Sequence, residues 1–309
     1  MNQKLYIIPL LIVCILTGGY FFSQQGKGEA QPTSIDSSKI QVVASFYPLA
    51  FMAERIAGDL VQVQTITPAG TEPHDYDPSA QDIATIEQAK LLVLNGGVES
   101  WGERIKQNLK GTNVQIVVAG EGLSSKQIAE EGQTIADPHV WLDPVLVKAE
   151  SKRIADALIQ IDSAHTSEYR KNETALDAEL DKLDRDYKME LTSCGKKDII
   201  TSHAAFGYLA VRYGFTQIPI AGISPDEEPS AKTLATIVDF VRKNDVKYIF
   251  SERLVSPKLA RTIATEVGAQ TLVLDPLEGI SNVDVQTGKN YFTIMRENLQ
   301  NLRIALECK

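Results

Sequence analysis

Apolar residues along this chain fall into distinct regimes. Behind Lys4 comes an apolar run from Leu5 to Leu16, interrupted by Pro9 and followed by Thr17, Gly18, Gly19 and three aromatic residues. Placed directly after the initiator Met, residues 1–22 read as a secretory signal peptide or a short signal anchor; the Pro and Gly residues make the run marginal as a stable membrane span. Residues 23–38 are polar, with Gly, Pro and Ser, and read as a flexible linker. From residue 39 onward, short β-branched or continuously apolar runs alternate with stretches of helical period.

In residues 39–143 the strand-like runs are Ile40–Phe46, Val61–Ile66, Leu91–Leu94 and Val114–Val118. Helical patterns cover Phe51–Ala57 and the segment that Ser79 caps, to Gln88. Leu91–Leu94 is apolar at every position, as expected of a strand covered on both faces. Residues 194–309 repeat the scheme, with strands at Asp198–Ser202, Gln217–Ile220, Tyr248–Phe250 and Thr271–Leu274. Pro219 marks the second of these as an edge strand. Helices are expected at Phe206–Tyr213, Lys232–Lys243, Pro257–Val267 and Tyr291–Leu306.

Between the halves, residues 144–193 are helical. Pro144 suits a first turn; Val147, Ile154, Leu158 and Ile161 share a face, and Asp162-Ser163 breaks the pattern. A second helix follows, with Tyr169, Leu176, Leu180, Leu183, Tyr187 and Leu191 on its apolar face. The whole predicts an α/β fold: an N-terminal α/β lobe (39–143), a helical connector (144–193) stiff enough to limit hinge opening, and a C-terminal α/β lobe (194–309).

A length of 309 residues fits two domains. Charged residues are 23% and hydrophobic residues 43%, which places the chain with globular rather than disordered proteins. The net charge of -9 repels phosphate backbones and anionic lipid heads, so no nucleic-acid partner is expected. Of three cysteines, Cys14 falls in the signal segment, where the residues before it superficially resemble a lipoprotein box, with a bulky Val13 where a small residue is expected; lipidation stays the minor alternative. Cys194 and Cys308 remain as a pair that an oxidising compartment allows to bridge, the alternative being two inert thiols.

Candidate chemistry rests on the histidines, of which there are four. His74 follows the strand Val61–Ile66, His139 precedes the connector, and His203 follows Asp198–Ser202 directly; Asp275 follows Thr271–Leu274. Ligands of parallel sheets gather beyond the carboxyl ends of strands. Three imidazoles and a carboxylate form a four-coordinate N/O set that suits zinc. The Irving–Williams order favours zinc over manganese for such donors, and cobalt, nickel and copper also fit. No two of these residues form a local ligand motif, and a lone histidine at a strand end is more often a hydrogen-bonded packing residue. His165, among polar residues, reads as an exposed bystander.

Five phrases narrow the alternatives: EPHDYDPS (72–79), DPHVWLDP (137–144), TSHAAFGYLAVRYG (201–214), GISPDEEPS (222–230) and TLVLDPLEG (271–279). In this order they resemble the zinc- and manganese-binding solute-binding proteins of ABC importers, and the resemblance covers residues 39–307. It implies two α/β lobes joined by a long rigid connector helix, with one metal in the interlobe cleft. It implies His74, His139 and His203 as imidazole ligands and Asp275 as the carboxylate ligand. His at the third position resembles the zinc type, with manganese as the alternative cargo. Many zinc-type members carry a His-rich loop before the second ligand phrase, whereas Leu123–Ala136 contains no His. The implied protein is an extracytoplasmic monomer, periplasmic or tethered to the outer face of the cytoplasmic membrane, that delivers Zn2+ to the membrane subunits of an ABC permease.

Other residues fit around this reading. Glu72 and Asp77 flank His74, either as outer partners of the site or as solvated acids of a turn. Trp141 and Phe206 are candidates for the cleft wall, Asp143 for the cap of the connector helix, and Glu252 for an outer partner. Ser224–Pro229 reads as a rigid acidic loop at the rim that meets a permease. A metallohydrolase is the rival, since it needs three protein ligands and an open position for water. No HExxH, GxSxG or glycine-rich phosphate loop is present. A purely structural metal in an adhesin is a third reading.

Overall fold

The computed structural model describes residues 38–130 and 133–309. The expected signal segment, Cys14 and all but the last residue of the expected linker lie outside the described residues. Among the described residues no helix is long and apolar enough to cross a membrane.

The first sheet is built from β1 (Ile40–Ala44), β2 (Val61–Thr65), β3 (Leu91–Leu94) and β4 (Gln115–Val118), all parallel, in the order β2-β1-β3-β4. Between its strands run α1 (Tyr47–Ala57), α2 (Ala80–Gln88) and α3 (Gly102–Asn108). Alternating side chains sort to the two faces. Val42, Ala44, Leu91 and Val93 join the large central core, while Val43, Leu92 and Leu94 pack against Ile86, Trp101 and Ile105. This two-sided cover explains why β3 is buried at every position. Ser79 caps α2 in a reciprocal capping box with Asp82.

A two-stranded antiparallel hairpin, β5 (Gln127–Glu130) with β6 (Gln133–Ala136), occupies the stretch before His139. The connector then appears as two helices, α4 (Pro144–Ile161) and α5 (Thr166–Glu190), packed on one another. The break expected at Asp162-Ser163 is present, and α5, at 25 residues, is the long connector helix. Asp143 caps α4, its Oδ1 accepting from the Val145 N–H at 2.9 Å. The break comes at Asp162, whose Oδ2 accepts from His165 Nδ1 and from Tyr169 Oη, each at 2.7 Å. His165 is thus an element of the helix turn. Helix α4 packs on β3, β4 and α1, so it belongs to the first lobe's wall. On α5, Tyr169, Leu176, Leu180, Leu183 and Tyr187 are buried along one face.

The second sheet contains β7 (Asp198–Thr201), β8 (Thr216–Pro219), β9 (Tyr248–Ser251) and β10 (Gln270–Val273), again all parallel, in the order β10-β9-β7-β8. Counted along the chain, both sheets place their second strand outermost, then the first, third and fourth. Pro219 sits on the edge strand β8, as a residue without an N–H requires. The flanking helices are α6 (Gly207–Tyr213), α7 (Ala231–Asn244), α8 (Lys258–Val267), α9 (Asn282–Gln286) and α10 (Tyr291–Ala305). The chain end is tied back to the start of this half by a disulfide between Cys194 and Cys308. Backbone bonds flank it, from Lys196 N to Leu306 O (2.9 Å) and from Lys309 N to Ser193 O (3.1 Å).

Candidate metal centre

Four loops that leave carboxyl ends of strands bring their side chains to one point, as expected for parallel sheets. His74 lies in the loop after β2, His139 follows the hairpin beyond β4, His203 comes two residues after β7, and Glu278 follows β10. One donor atom from each lies within 4.8 Å of the other three. Oε1 of Glu278 is 3.1 Å from Nε2 of His203, 3.3 Å from Nε2 of His139 and 3.6 Å from Nε2 of His74. The His74 and His139 Nε2 atoms are 3.3 Å apart. A tetrahedral ion with bonds of about 2.0–2.1 Å needs donor–donor edges of about 3.3–3.4 Å. The observed edges, 3.1–3.6 Å, bracket that figure.

The outer nitrogens fix which atom faces the centre. His139 Nδ1 donates to Asp137 Oδ1 at 2.8 Å, and His203 Nδ1 donates to Glu252 Oε1 at 2.7 Å. With that proton held outward, Nε2 is the atom that faces the centre and that an ion would take, the arrangement of carboxylate–histidine–metal triads. Among the described residues no carboxylate accepts from Nδ1 of His74; its backbone N–H instead donates to Glu72 Oε1 at 3.1 Å. His139, His203 and Glu278 are almost wholly buried. Trp141 and Phe206 are also buried, the Trp141 ring lying 5.0 Å from that of His139. Trp141 Nε1 donates to Pro276 O at 2.8 Å, and Tyr291 Oη donates to Trp141 O at 2.8 Å, so the wall is pinned from both halves.

Burial and charge compete at each group. Burial pushes the His203 imidazole down, but the Glu252 and Glu278 carboxylates outweigh it and hold its pKa well above the ordinary value. The same balance, with Asp137 and Glu278, raises His139. Burial prevails at His74, which is lowered. Glu278 is raised by burial and brought well below the usual carboxylate range by the three imidazoles. Glu72 is pushed up to about 10, chiefly by burial and then by Glu278. Without a cation the centre therefore holds protons that an incoming dication must displace.

Asp275 stands outside this group. Its Oδ2 takes a 2.8 Å ion pair from Arg253 Nε, and its Oδ1 accepts from the Leu277 N–H at 2.8 Å. Asn298 on α10 grips its backbone from both sides, at 2.9 Å and 2.7 Å. Asp275 thus holds a turn, with Leu277 at φ 59, that swings Glu278 into the centre. The structure sets Glu278, in place of the expected Asp275, against the imidazoles. Both acids lie in the phrase TLVLDPLEG, so the signal was present, but the turn that chooses between them is set by distant residues. Asp137, which opens the second ligand phrase, holds His139 as Glu252 holds His203, a role that its position in the phrase does not by itself reveal. Glu252 takes the outer position weighed for it, and Asp77 pairs instead with Arg104 at 2.5 Å on the exposed surface.

Comparison with known proteins follows the same lines. The family model described as zinc-uptake complex component A, periplasmic, matches residues 42–305. The high-affinity zinc uptake system protein ZnuA of Bacillus subtilis is 36% identical over 312 residues, 97% of each chain. The zinc-binding protein AdcA of Streptococcus pyogenes is 37% identical over 290 residues, which take in 87% of this chain. The match spans only 56% of AdcA, so the chain covers little more than half the length of that relative. Among solved structures, the Zn(II)-bound AdcA of Streptococcus pneumoniae superposes with a TM-score of 0.76 at 36% identity, over 87% of this chain and 58% of that one. A mutant laminin-binding adhesin (Lmb) of Streptococcus agalactiae gives a TM-score of 0.79 at 37% identity, over 86% of this chain and 99% of the other.

Proposed function

The chain belongs to the zinc-uptake complex component A family, and from that membership we propose that it captures zinc outside the cytoplasmic membrane and delivers it to an ABC permease. The ion is cargo, held by His74, His139, His203 and Glu278. The observation that carries this reading is the set of donor edges, 3.1–3.6 Å, around one buried point. Three imidazoles with one carboxylate oxygen suit zinc better than manganese, which prefers an oxygen-rich octahedron. A manganese cargo is the alternative that a competition experiment separates.

The protein acts as a monomer and binds no nucleic acid. It works in the periplasm or tethered to the outer face of the membrane, and it catalyses no reaction. A donor set of four protein atoms fills the inner sphere of a tetrahedral ion and leaves no position for an activated water. Asp226, Glu227 and Glu228 are exposed in the loop Ser224–Pro229, and their charge serves the approach to the permease.

The test is metal analysis and calorimetric titration of the purified chain, with zinc and manganese in competition. One zinc per chain is expected, in preference to manganese. His139→Ala and His203→Ala each lower zinc affinity by orders of magnitude with the folded circular-dichroism signature retained. Parent-like zinc binding by either variant removes the ligand assignment.

A further inference from the structure

Strand β9 runs into three successive residues that each reach the metal centre or the loop carrying its carboxylate. Glu252 Oε1 accepts from His203 Nδ1 at 2.7 Å. Arg253 Nε pairs with Asp275 Oδ2 at 2.8 Å. Leu254 Cδ1 lies so close to Gly279 that a Cβ there would stand 2.9 Å from it. The first contact orients a ligand imidazole. The second lies one step further out and touches no ligand. Between Asp275 and Glu278 the backbone takes a conformation that a leucine resists, for the buried Leu277 has φ 59. Left-handed backbone crowds the Cβ of an L-residue against a carbonyl oxygen, so it persists only where surrounding contacts enforce it. Here those contacts converge on Asp275. Its Oδ1 accepts from the Leu277 N–H at 2.8 Å and closes the turn through the side chain. Asn298 holds only the backbone of Asp275, at 2.9 Å and 2.7 Å, which leaves the direction of the carboxylate to Arg253.

With Oδ2 taken by the guanidinium, Oδ1 faces the Leu277 N–H. We propose that Arg253 is a positioning residue for the captured ion: by orienting the Asp275 carboxylate it keeps Leu277 left-handed, and so presents Glu278 Oε1 to the three imidazoles. Without the pair, the Asp275 carboxylate turns freely, Leu277 relaxes to negative φ, and Glu278 is carried away from the centre. The Arg253 side chain is 33% exposed and that of Asp275 only 5%, so the pair runs from the surface to the buried turn. The other arm of Arg253, Nη2, pairs at 2.7 Å with Glu297 on α10, next to the Asn298 that holds Asp275. The grip on the carboxylate ligand is therefore set from the surface of the second lobe, and loosening it speeds release of the ion. The inference rests on the zinc-binding reading above, with Glu278 as the fourth ligand.

The experiment compares the full chain with Arg253→Gln, Asp275→Asn and Glu278→Ala, and with each of the first two combined with Glu278→Ala. Zinc and cobalt ions alone are the probes, and zinc affinity and release are read by competition with a chelator. Arg253→Gln is expected to weaken zinc binding about 10-fold, the low end of the range for outer partners of a metal site. It is also expected to speed release and to shift the visible cobalt spectrum toward that of Glu278→Ala. In the Glu278→Ala chain, whose three imidazoles hold zinc more weakly, the same substitution is expected to add no further loss, because both act through one contact. Asp275→Asn keeps an oxygen for the Leu277 N–H and gives up the ion pair, so it carries the comparison if Arg253→Gln fails to fold. The proposal is overturned if that variant keeps the parent affinity and spectrum, even with a lowered melting temperature. It is also overturned if the loss persists in full in the Glu278→Ala chain, which would place the action on Glu252 and His203 instead. A parent chain that binds no zinc, or a Glu278→Ala chain that binds it like the parent, would remove the reading on which the proposal rests.

Discussion

The two sheets fork in the same way, yet their forks are used differently. In a sheet of this order the crevice for a ligand opens between the first and third strands, where successive connections leave in opposite directions. In the second lobe β7 runs straight into Ser202 and His203, β9 runs into Glu252, and the two side chains meet at 2.7 Å. In the first lobe β1 runs into Ser45 and Phe46, and the fork is sealed. Glu99 accepts from Ser45 Oγ, from the Asn95 N–H at 2.7 Å and from the Gly96 N–H at 3.0 Å. Phe46, in the place of His203, packs edge-on against Trp141 with ring centroids 4.9 Å apart. The first lobe's two imidazoles of the centre ride instead on longer excursions, the loop to His74 and the hairpin before His139. One topology thus supplies an imidazole directly in one copy and a rigid wall in the other, with a single carboxylate at each fork.

The largest expected effect tests how far the second lobe depends on its covalent tie. Cys194 and Cys308 close a loop of 114 residues that contains the whole second sheet, and the first lobe has no counterpart among the described residues. Replacing both by Ser should lower stability by about 4–5 kcal/mol in the chain-entropy account, read by urea unfolding. Zinc affinity should stay at the parent value, because His203 and Glu252 are placed by their own strand ends. A parallel loss of affinity would show that the fork is held by the disulfide instead.

A sharper contrast sets the two fork carboxylates against each other. Glu252→Ala removes the acceptor for His203 Nδ1 and should weaken zinc binding about 10-fold to 100-fold, measured by competition with a chelator. Glu99→Ala leaves buried donors of Ser45, Asn95 and Gly96 unpaired and should cost about 1–3 kcal/mol of folding stability with zinc affinity unchanged. If the two variants gave the same pattern, the division of labour between the forks would fail.

The smallest effect lies in the wall of the first lobe. Glu150 on α4 is buried, and neither of its side-chain oxygens meets a hydrogen-bond donor. Burial, opposed by Arg153, pushes its carboxyl up to about 8. The folded chain therefore holds this proton more tightly than the unfolded chain. The stability it contributes is full below the ordinary glutamate value of 4.5 and is lost as pH rises through about 8. Glu150→Gln should flatten the fall in melting temperature of the metal-free chain between about pH 5 and 8. An unchanged slope would mean that Glu150 does not govern it.

Much of this was legible beforehand. Leu91–Leu94 announced a central strand because no polar residue interrupts it, and the spacing of Tyr169, Leu176 and Leu180 announced a helix face. His203 could be placed because it follows a strand end within two residues. The hairpin Gln127–Ala136 escaped notice because its strands are four residues long and rich in Gln, with little alternation. Glu99 escaped because nothing near it in sequence shows that its partners will be the backbone of its own loop and the hydroxyl of Ser45.

The sequence by itself determined the alternation of strands and helices, the duplicated scheme and the three imidazoles, since periodicity and strand ends are properties of neighbouring residues. The tertiary structure alone decided between Asp275 and Glu278. Arg253 and Asn298 occupy the first acid, and the turn they stabilise delivers the second. Those residues lie far apart along the chain, so their convergence depends on packed elements that no local pattern encodes.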